Sequence, residues 1–321
     1  MRRSPRWTRR EWLRASGRFT ATAFAARCIS PDLGALQTTA PTPSGLDARR
    51  ATLAQVPLAR TSLTDRLTLL SGPGGNVVVL HGPDGLHLVD NFVRPAWASL
   101  KAALEAIGGP VKVAIDSHGH FDHADNNANL RKAGAAIVAH ENTKTRLSQA
   151  HEILGMQIPA EVPEALPTET FADARTLQAN GEDLRLQYVP PAHTDTDISV
   201  LFAKANVLHL GDLFFNGSYP FIDVATGGNM NGMVAAADRA LVLVDATTKI
   251  VPGHGPLADR AALQRYRTML GDVRDGVGAL KKAGKPVAEV QAAKPTAPYD
   301  AEWGNGFMKP DDFVAVVYAA L

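Results

Sequence analysis

Val111-Lys112-Val113-Ala114-Ile115-Asp116-Ser117-His118-Gly119-His120-Phe121-Asp122-His123 is the stretch that decides the fold. Its first five residues are β-branched or apolar around one lysine, which suits a buried or half-buried strand. Four side chains able to bind a metal follow at once: His118, His120, Asp122 and His123, within six positions. An apolar core cannot absorb four such groups in one turn of chain. Imidazole together with carboxylate is a donor set preferred by zinc and neighbouring divalent metals.

Further donors lie downstream, each at the end of a strand-like run. His193 follows Leu184–Val189 in Pro190-Pro191-Ala192-His193-Thr194, Asp212 follows Val207–Leu210 in Leu210-Gly211-Asp212, and His254 follows Ile250-Val251 in Pro252-Gly253-His254-Gly255. Glycine beside a donor permits close backbone approach, and a strand end holds the donor on a rigid element.

The surrounding pattern is mixed. Strands are predicted at Leu67–Leu70, Val77–Leu80 and Leu86–Val89, with Pro83-Asp84-Gly85 as a hairpin turn between the last two. Helical spacing of Trp97, Leu100, Leu104 and Ile107 predicts a helix over Pro95–Ile107, stopped by Gly108-Gly109-Pro110. A helix over Ala124–Ala133, a strand at Ala136–Ala139 and a helix from Asn142 come next, and Gly155–Pro167 reads as a loop. Strands resume at Thr176–Ala179, Leu184–Val189, Ile198–Ala203 and Val207–Leu210, with an Asn180-Gly181 turn. Helices at Met230–Val244 and Ala258–Lys282 flank a strand at Lys249–Val251, and Asp311–Leu321 forms a last helix. Two strand-rich runs separated by helices suggest two sheets packed face to face with helices outside.

Asp90 in Leu88-Val89-Asp90, the His118-x-His120-x-Asp122-His123 motif, His193, Asp212 and His254 together resemble, in order, the five motifs of the metallo-β-lactamase superfamily. That resemblance implies an α/β fold, the four-layer αββα sandwich, with two Zn2+ ions per chain in a cleft at one edge of the sheets. It implies His118, His120 and His193 on one metal, Asp122, His123 and His254 on the other, and Asp212 bridging. Asp90 is then a supporting residue, with Ser117 a further candidate for fixing an imidazole. The implied reaction is hydrolysis of an ester, lactone, thioester or β-lactam-type bond by hydroxide generated between the metals, with Asp122 orienting it and shuttling its proton.

Within the superfamily, the lone cysteine, Cys28, excludes lactamases with a cysteine in the second metal site. Asp212 resembles the bridging acid of glyoxalase II, lactonases and related esterases. No lysine lies in the Asp212–Asp223 loop to hold a β-lactam carboxylate, although Lys249 is a candidate neighbour. The segment Phe214–Asp223 resembles a substrate loop of periplasmic hydrolases, making Asn216, Tyr219 and Phe221, with His140, candidate cleft residues; core packing is the competing reading for the aromatics and His140. Two other functions stay open: a mononuclear iron persulfide dioxygenase, and a metal-loaded binding protein without catalysis.

Lys and Arg number 33 and Asp and Glu 32, a net charge of +1 that offers no basic face for nucleic acid. A small-molecule substrate is therefore expected, without stable membrane insertion, since no apolar run approaches the roughly 20 residues that span a bilayer; nothing specifies an oligomeric state. Residues 1–27 carry eight arginines against one acid, Glu11, and Thr8-Arg9-Arg10-Glu11-Trp12-Leu13-Arg14 resembles a twin-arginine export signal. Residues 1–45 are accordingly read as signal segment and linker, residues 46–321 as the catalytic domain with C-terminal helices, and the location as periplasmic.

Overall fold

The structure, a computed structural model, describes residues 45–321. The export segment read from the sequence lies outside the described residues. After helix α1 (Gly45–Ala54), strands β1 (Ala59–Ser62), β2 (Leu67–Gly72), β3 (Gly75–Leu80) and β4 (Leu86–Val89) form an antiparallel meander. Gly85 adopts φ 86° and its N–H donates to Gly82 O at 3.0 Å, so Pro83-Asp84-Gly85 turns the chain between β3 and β4 as expected. Helix α2 (Trp97–Ile107) carries the chain across to β5 (Val111–Ile115), which runs parallel to β4.

Short helices α3 (Phe121–Ala124) and α4 (Asn127–Lys132) lead to β6 (Ala136–His140), and α5 (Glu141–Leu147) follows it. A small hairpin of β7 (His151–Ile153) and β8 (Met156–Ile158) precedes β9 (Glu169–Phe171). The first sheet has the order β1-β2-β3-β4-β5-β6-β9. The second comprises β10 (Ala174–Ala179), β11 (Glu182–Tyr188), β12 (Ile198–Phe202), β13 (Val207–His209) and, after helix α6 (Met230–Leu243), β14 (Lys249–Val251), in that order across the sheet. Asn180 and Gly181 both take positive φ, 52° and 76°, the backbone that a two-residue hairpin loop between β10 and β11 demands. Helices α7 (Arg260–Lys282), α8 (Val287–Ala292), α9 (Asp300–Trp303) and α10 (Pro310–Ala320) complete the chain.

Alternation along the strands builds the layers. Leu67, Leu69, Val78, Val89 and Ile115 from the first sheet meet Leu184, Leu186, Val200, Phe202 and Val251 from the second. The opposite face of the first sheet, with Leu70, Val77, Val79 and Ala114, packs on Leu100 and Leu104 of α2 and Leu130 of α4. The outer face of the second, with Leu208 and Ile250, is covered by α6, α7 and α10 through residues such as Met233, Leu263, Tyr266 and Phe313. The result is the four-layer αββα sandwich.

Several elements depart from the sequence reading. The helix expected over Ala124–Ala133 is broken at Asp125-Asn126, because the Asn126 side chain donates to Asn91 O, Phe92 O and Val93 O instead of leaving the helix intact. Gly155–Pro167 is not all loop: Leu154 and Gly155, at φ 50° and 77°, turn β7 into β8. Among the described residues, a helix at Gly45–Ala54 precedes the first strand expected from the sequence, Leu67–Leu70. The short β1, β9, α8 and α9 were also not expected.

Topology gathers the donors at one edge. β4 and β5 run in the same direction. In the second sheet β11 and β13 are each antiparallel to β12 and β14 is parallel to β13, so β11, β13 and β14 share a direction. Asp90, His118, His193, Asp212 and His254 follow the C-terminal ends of these five strands. Ends of strands are where an α/β scaffold leaves room for a ligand.

Candidate metal centre

Each donor sits where a strand gives way to irregular backbone. His118 and His120 lie in the loop from β5 into α3, and His120 caps that helix with extended backbone. Asp122 and His123 are in α3 itself. Asp212 is in a single 3-10 turn after β13, and Gly211 before it takes φ 50°.

The side chains form two groups, His118, His120, His193 and Asp212, and Asp122, His123 and His254, in each of which one donor atom per residue lies within 4.8 Å of the others. The two groups meet at Asp212. Its Oδ2 faces His193 Nε2 at 3.5 Å and His118 Nε2 at 3.8 Å, while its Oδ1 faces His123 Nε2 at 3.2 Å and His254 Nε2 at 3.3 Å. His254 Nε2 is also 3.6 Å from Asp122 Oδ2.

The residues fit a metal. The far nitrogen of each of four rings is tied to a fixed partner: His193 Nδ1 donates to Phe221 O (2.7 Å), His120 Nε2 to Asp223 Oδ2 (3.0 Å), His123 Nδ1 to Asp90 Oδ2 (2.8 Å), and His118 Nδ1 sits 3.1 Å from Ser117 Oγ. In the neutral rings the inward nitrogens are therefore lone pairs. His120 Nδ1 and His193 Nε2 nevertheless approach to 3.0 Å, and His123 Nε2 and His254 Nε2 to 3.4 Å. Each close pair needs either a proton on one ring or a shared cation between the lone pairs, and a bound metal supplies the second. His118 Nε2 and Asp212 Oδ1 are buried without a hydrogen-bond partner, each a cost of about 1–3 kcal/mol unless something coordinates it.

Electrostatics divide the rings, His193 and His118 favouring the neutral form and His123 the charged one until a metal cation takes the place of its proton. Burial, partly opposed by Asp212, brings the His193 ring down to about 4, leaving it neutral and ready to donate a lone pair. Burial likewise disfavours charge on His118, whose pKa falls well below the ordinary value. For His123 burial is outweighed by Asp212, Asp90 and Asp122, and its pKa rises well above the ordinary histidine range. Burial would raise the Asp212 carboxyl, yet His254, His123 and His118 hold it well below the usual carboxylate range. Burial also works against Asp223, but its bond to His120 brings it to about 2. Partners of this kind fix ring tautomers and orient the metal-facing nitrogens.

Asp90 accepts from Ser117 N and Oγ as well as from His123, all at 2.8 Å. Both residues singled out as supporting the site thus touch its candidate ligands, His123 and His118. Asp223 does the same for His120, and sequence reading noted it only as the end of a loop; its one legible signal was an acid placed after the aromatic run. Buried His209 also lies near, with Nε2 3.7 Å from Asp90 Oδ2.

A cavity of about 590 Å3 opens onto the centre. His120, Asp122, Asp212 and His254 form part of its wall, and Phe121, Phe215, Tyr219 and Phe221 continue it. Phe221 stacks near His120, with centroids 6.1 Å apart, and Phe215 lies over His254 at 5.1 Å. Tyr219 reaches the cavity while its hydroxyl donates to Asp300 Oδ1 at 2.8 Å and its ring stacks on Phe313. Asn216 stays at the periphery, donating to Pro256 O. His140 does not line the cavity: its Nδ1 caps α5 at Asn142 N, its Nε2 donates to Ala172 O, and its ring stacks on Tyr188 at 3.9 Å. It is a packing and capping residue because its two nitrogens are spent on local backbone. Lys249 is also elsewhere, its ammonium donating to Leu63 O. The wall also carries an arginine, Arg49 of α1, which is not among the residues expected to line the cleft.

The fold and the site have relatives. A family model for the metallo-beta-lactamase superfamily matches residues 70–254. Probable metallo-hydrolase YqgX of Bacillus subtilis (strain 168) is 24% identical over 154 residues, covering 44% of this chain and 68% of that protein. Among solved structures, a metallo-beta-lactamase from Pontibacter korlensis superposes with TM-score 0.58 at 19% identity, over 67% of this chain and all of that one. The sec-alkylsulfatase Pisa1 from Pseudomonas sp. superposes with TM-score 0.60 at 14% identity, over 85% of this chain and 52% of that one. With the family model spanning more than half of its length and every motif donor gathered at one sheet edge, this chain belongs to the metallo-beta-lactamase superfamily, whose members are largely hydrolytic metalloenzymes.

Proposed function

We propose that the chain is a binuclear zinc hydrolase that cleaves an ester, lactone or thioester bond. The observation that carries this reading is Asp212, one oxygen turned to His118 and His193 and the other to His123 and His254. A carboxylate so placed between two donor groups is suited to bridge. When bound, the two ions supply an activated water near neutral pH and polarise the carbonyl under attack.

The chain's own residues do the rest. Asp122 is half-buried and lines the cavity, so its carboxylate can orient the attacking water and then hold the proton at Oδ2 for the leaving group. Phe121, Phe215 and Phe221 keep bulk water from the reacting bond and so strengthen the charge contacts inside. The Asp212 carboxylate, held between the two donor groups, would offset cationic charge of bound metals and so weaken support for a poor amide nitrogen leaving group. Oxygen and sulfur leaving groups need less support.

The test is metal analysis joined to a substrate panel of aryl esters, lactones, thioesters, secondary alkyl sulfates, penicillins, cephalosporins and carbapenems. About two zinc ions per chain are expected, with esters or lactones exceeding β-lactams by at least roughly tenfold in kcat/KM, a difference of ~1.4 kcal/mol in barrier. His120→Ala is expected to lose metal and turnover. Efficient penicillin or carbapenem hydrolysis with esters and lactones inert would overturn the bond assignment, and one iron per chain with no hydrolysis would replace it by an oxidative function.

A further inference from the structure

Beyond the ligands, the cavity wall has an uneven chemistry. Its far lining is apolar, with Leu53, Ile153, Leu154, Met156 and Phe307, and it contains one arginine, Arg49. Leu154 and Phe307 are large hydrophobic side chains left 50% and 56% exposed at this cleft. The Arg49 guanidinium carbon lies 4.6 Å above the Phe307 ring, whereas the ion pairs from α1 to Asp47 and Asp125 run through Arg50. A cation stacked on an aromatic face and facing a cavity keeps its in-plane N–H donors free for an anion.

The wall that presents Arg49 is held rigidly. Arg50, the next residue, is buried and forms a fork with Asp125, Nε to Oδ2 at 2.9 Å and a terminal nitrogen to Oδ1 at 2.5 Å. Leu46, also on α1, packs with Ile153 and Ile158 of the β7–β8 hairpin, and Phe121 and Phe221 pack against that cluster. Helix and hairpin therefore form one wall before any ligand arrives, which lowers the ordering cost of binding.

Resting on the hydrolase reading of the same site, we propose that the substrate is an amphipathic carboxylate. Its apolar chain or ring packs on Leu154, Met156, Phe215 and Phe307, and Arg49 receives a carboxylate that is separate from the bond cut at the metal centre. Arg49 is then a specificity-determining residue. It comes from a helix that precedes the family-matched region, residues 70–254.

Two measurements on the metal-loaded full chain test this. In the first, the 4-nitrophenyl monoester of suberic acid is compared with 4-nitrophenyl octanoate. Wild type is expected to favour the anionic ester, chiefly through KM, and Arg49→Ala to lower that preference at least about tenfold, with Arg49→Lys restoring most of it. In the second, octane-1-sulfonate and octan-1-ol are titrated calorimetrically, which needs no turnover. Arg49→Ala is expected to weaken the sulfonate at least about tenfold more than the alcohol. If Arg49→Ala melts well below wild type, Arg49→Gln, which keeps the stem over Phe307, takes its place. No anionic preference in wild type, or equal effects of the substitution on both members of either pair, overturns the proposal. If neither ester is hydrolysed while Arg49 still controls sulfonate binding, the anion site stands and the hydrolase reading is decided separately by the wider substrate panel.

Discussion

Replacing Gly253 by alanine should empty the centre while leaving the fold in place. Gly253 lies between β14 and His254, and its φ is not among the positive ones, so alanine is acceptable to its backbone. Space is the obstacle. A Cβ built there stands 2.0 Å from Asp212 Oδ1, 2.7 Å from Gly211 C and 2.8 Å from Gly211 O. Comfortable contact needs about 3.5 Å, so the Asp212 oxygen must retreat by well over 1 Å. The Gly211 contacts are with backbone, so the Gly253 and Gly211 segments must also part, against the bonds from Gly253 N to Gly211 O (2.7 Å) and Phe214 O (3.1 Å) and from Asn76 N to Gly253 O (2.9 Å). The displaced oxygen is the one facing His123 and His254. Overpacking of this kind costs about 1–3 kcal/mol of stability, and misplacing a site group by 1 Å can cost about 10²-fold in rate. We expect a cooperative but lower melting transition, substoichiometric metal by mass spectrometry, and kcat/KM reduced at least about 10²-fold on the best panel substrate. Gly278→Ala in α7, where the nearest atom to a new Cβ is Leu321 Cδ1 at 3.7 Å, is the control and should be neutral or stabilising by up to about 1 kcal/mol. Full metal content and wild-type turnover in Gly253→Ala would refute the placement of Asp212.

Arg50→Met should cost about 3 kcal/mol, near the lower end for a broken buried pair because Arg94 still reaches Asp125 Oδ1 at 3.0 Å; urea denaturation and protease cleavage within α1 measure it, and an unchanged midpoint would show that α1 is not anchored this way. Export through the twin-arginine route remains a proposal from residues outside the described part of the chain. It predicts that changing Arg9 and Arg10 to lysine leaves uncleaved precursor in the cytoplasm on fractionation, and normal periplasmic delivery would sink it.

How much of this was legible in the sequence follows from what each residue does. β3, β5 and β13 were readable because Val77–Leu80, Val111–Ile115 and Val207–Leu210 are largely β-branched or apolar runs that end near turn residues. The donors were readable because metal binding confines histidine and aspartate to strand ends beside glycine. Helix α1 was missed because its buried face carries Arg50 where an amphipathic pattern calls for an apolar residue, and the fork to Asp125 that compensates spans 75 positions. Asp223 was missed as a partner for the same reason: 103 positions separate it from His120. His140 misled in the opposite direction, since a histidine at a strand end in this fold looks like a site residue until its two nitrogens are seen to be occupied by Asn142 N and Ala172 O.

Asp90 shows how one carboxylate can serve both donor groups, and a single substitution can test it. Its Oδ2 accepts from His123 Nδ1, in one group, and from Ser117 Oγ, which in turn stands 3.1 Å from His118 Nδ1, in the other. With Oγ donating to Asp90, that oxygen is free to accept from His118, which leaves the His118 lone pair on Nε2 facing inward. Asn is the informative replacement. Asp90 sits at φ 67°, a left-handed conformation that Asn tolerates better than most residues, so Asp90→Asn keeps the backbone and changes only the hydrogen bonds. Whichever way the amide lies, its NH2 meets a donor, either Ser117 N–H or His123 Nδ1–H. One bond becomes a repulsion, which either loosens the Ser117 backbone beside His118 or, with the NH2 turned to His123, releases that ring's tautomer. Loss of a ligand's hydrogen-bond partner typically lowers metal affinity 10–100-fold, about 1.4–2.7 kcal/mol. Chelator competition should register that loss in Asp90→Asn with the melting point of the metal-free protein little changed. Affinity equal to wild type would mean that the rings are held by packing alone and that Asp90 only shapes the turn after β4.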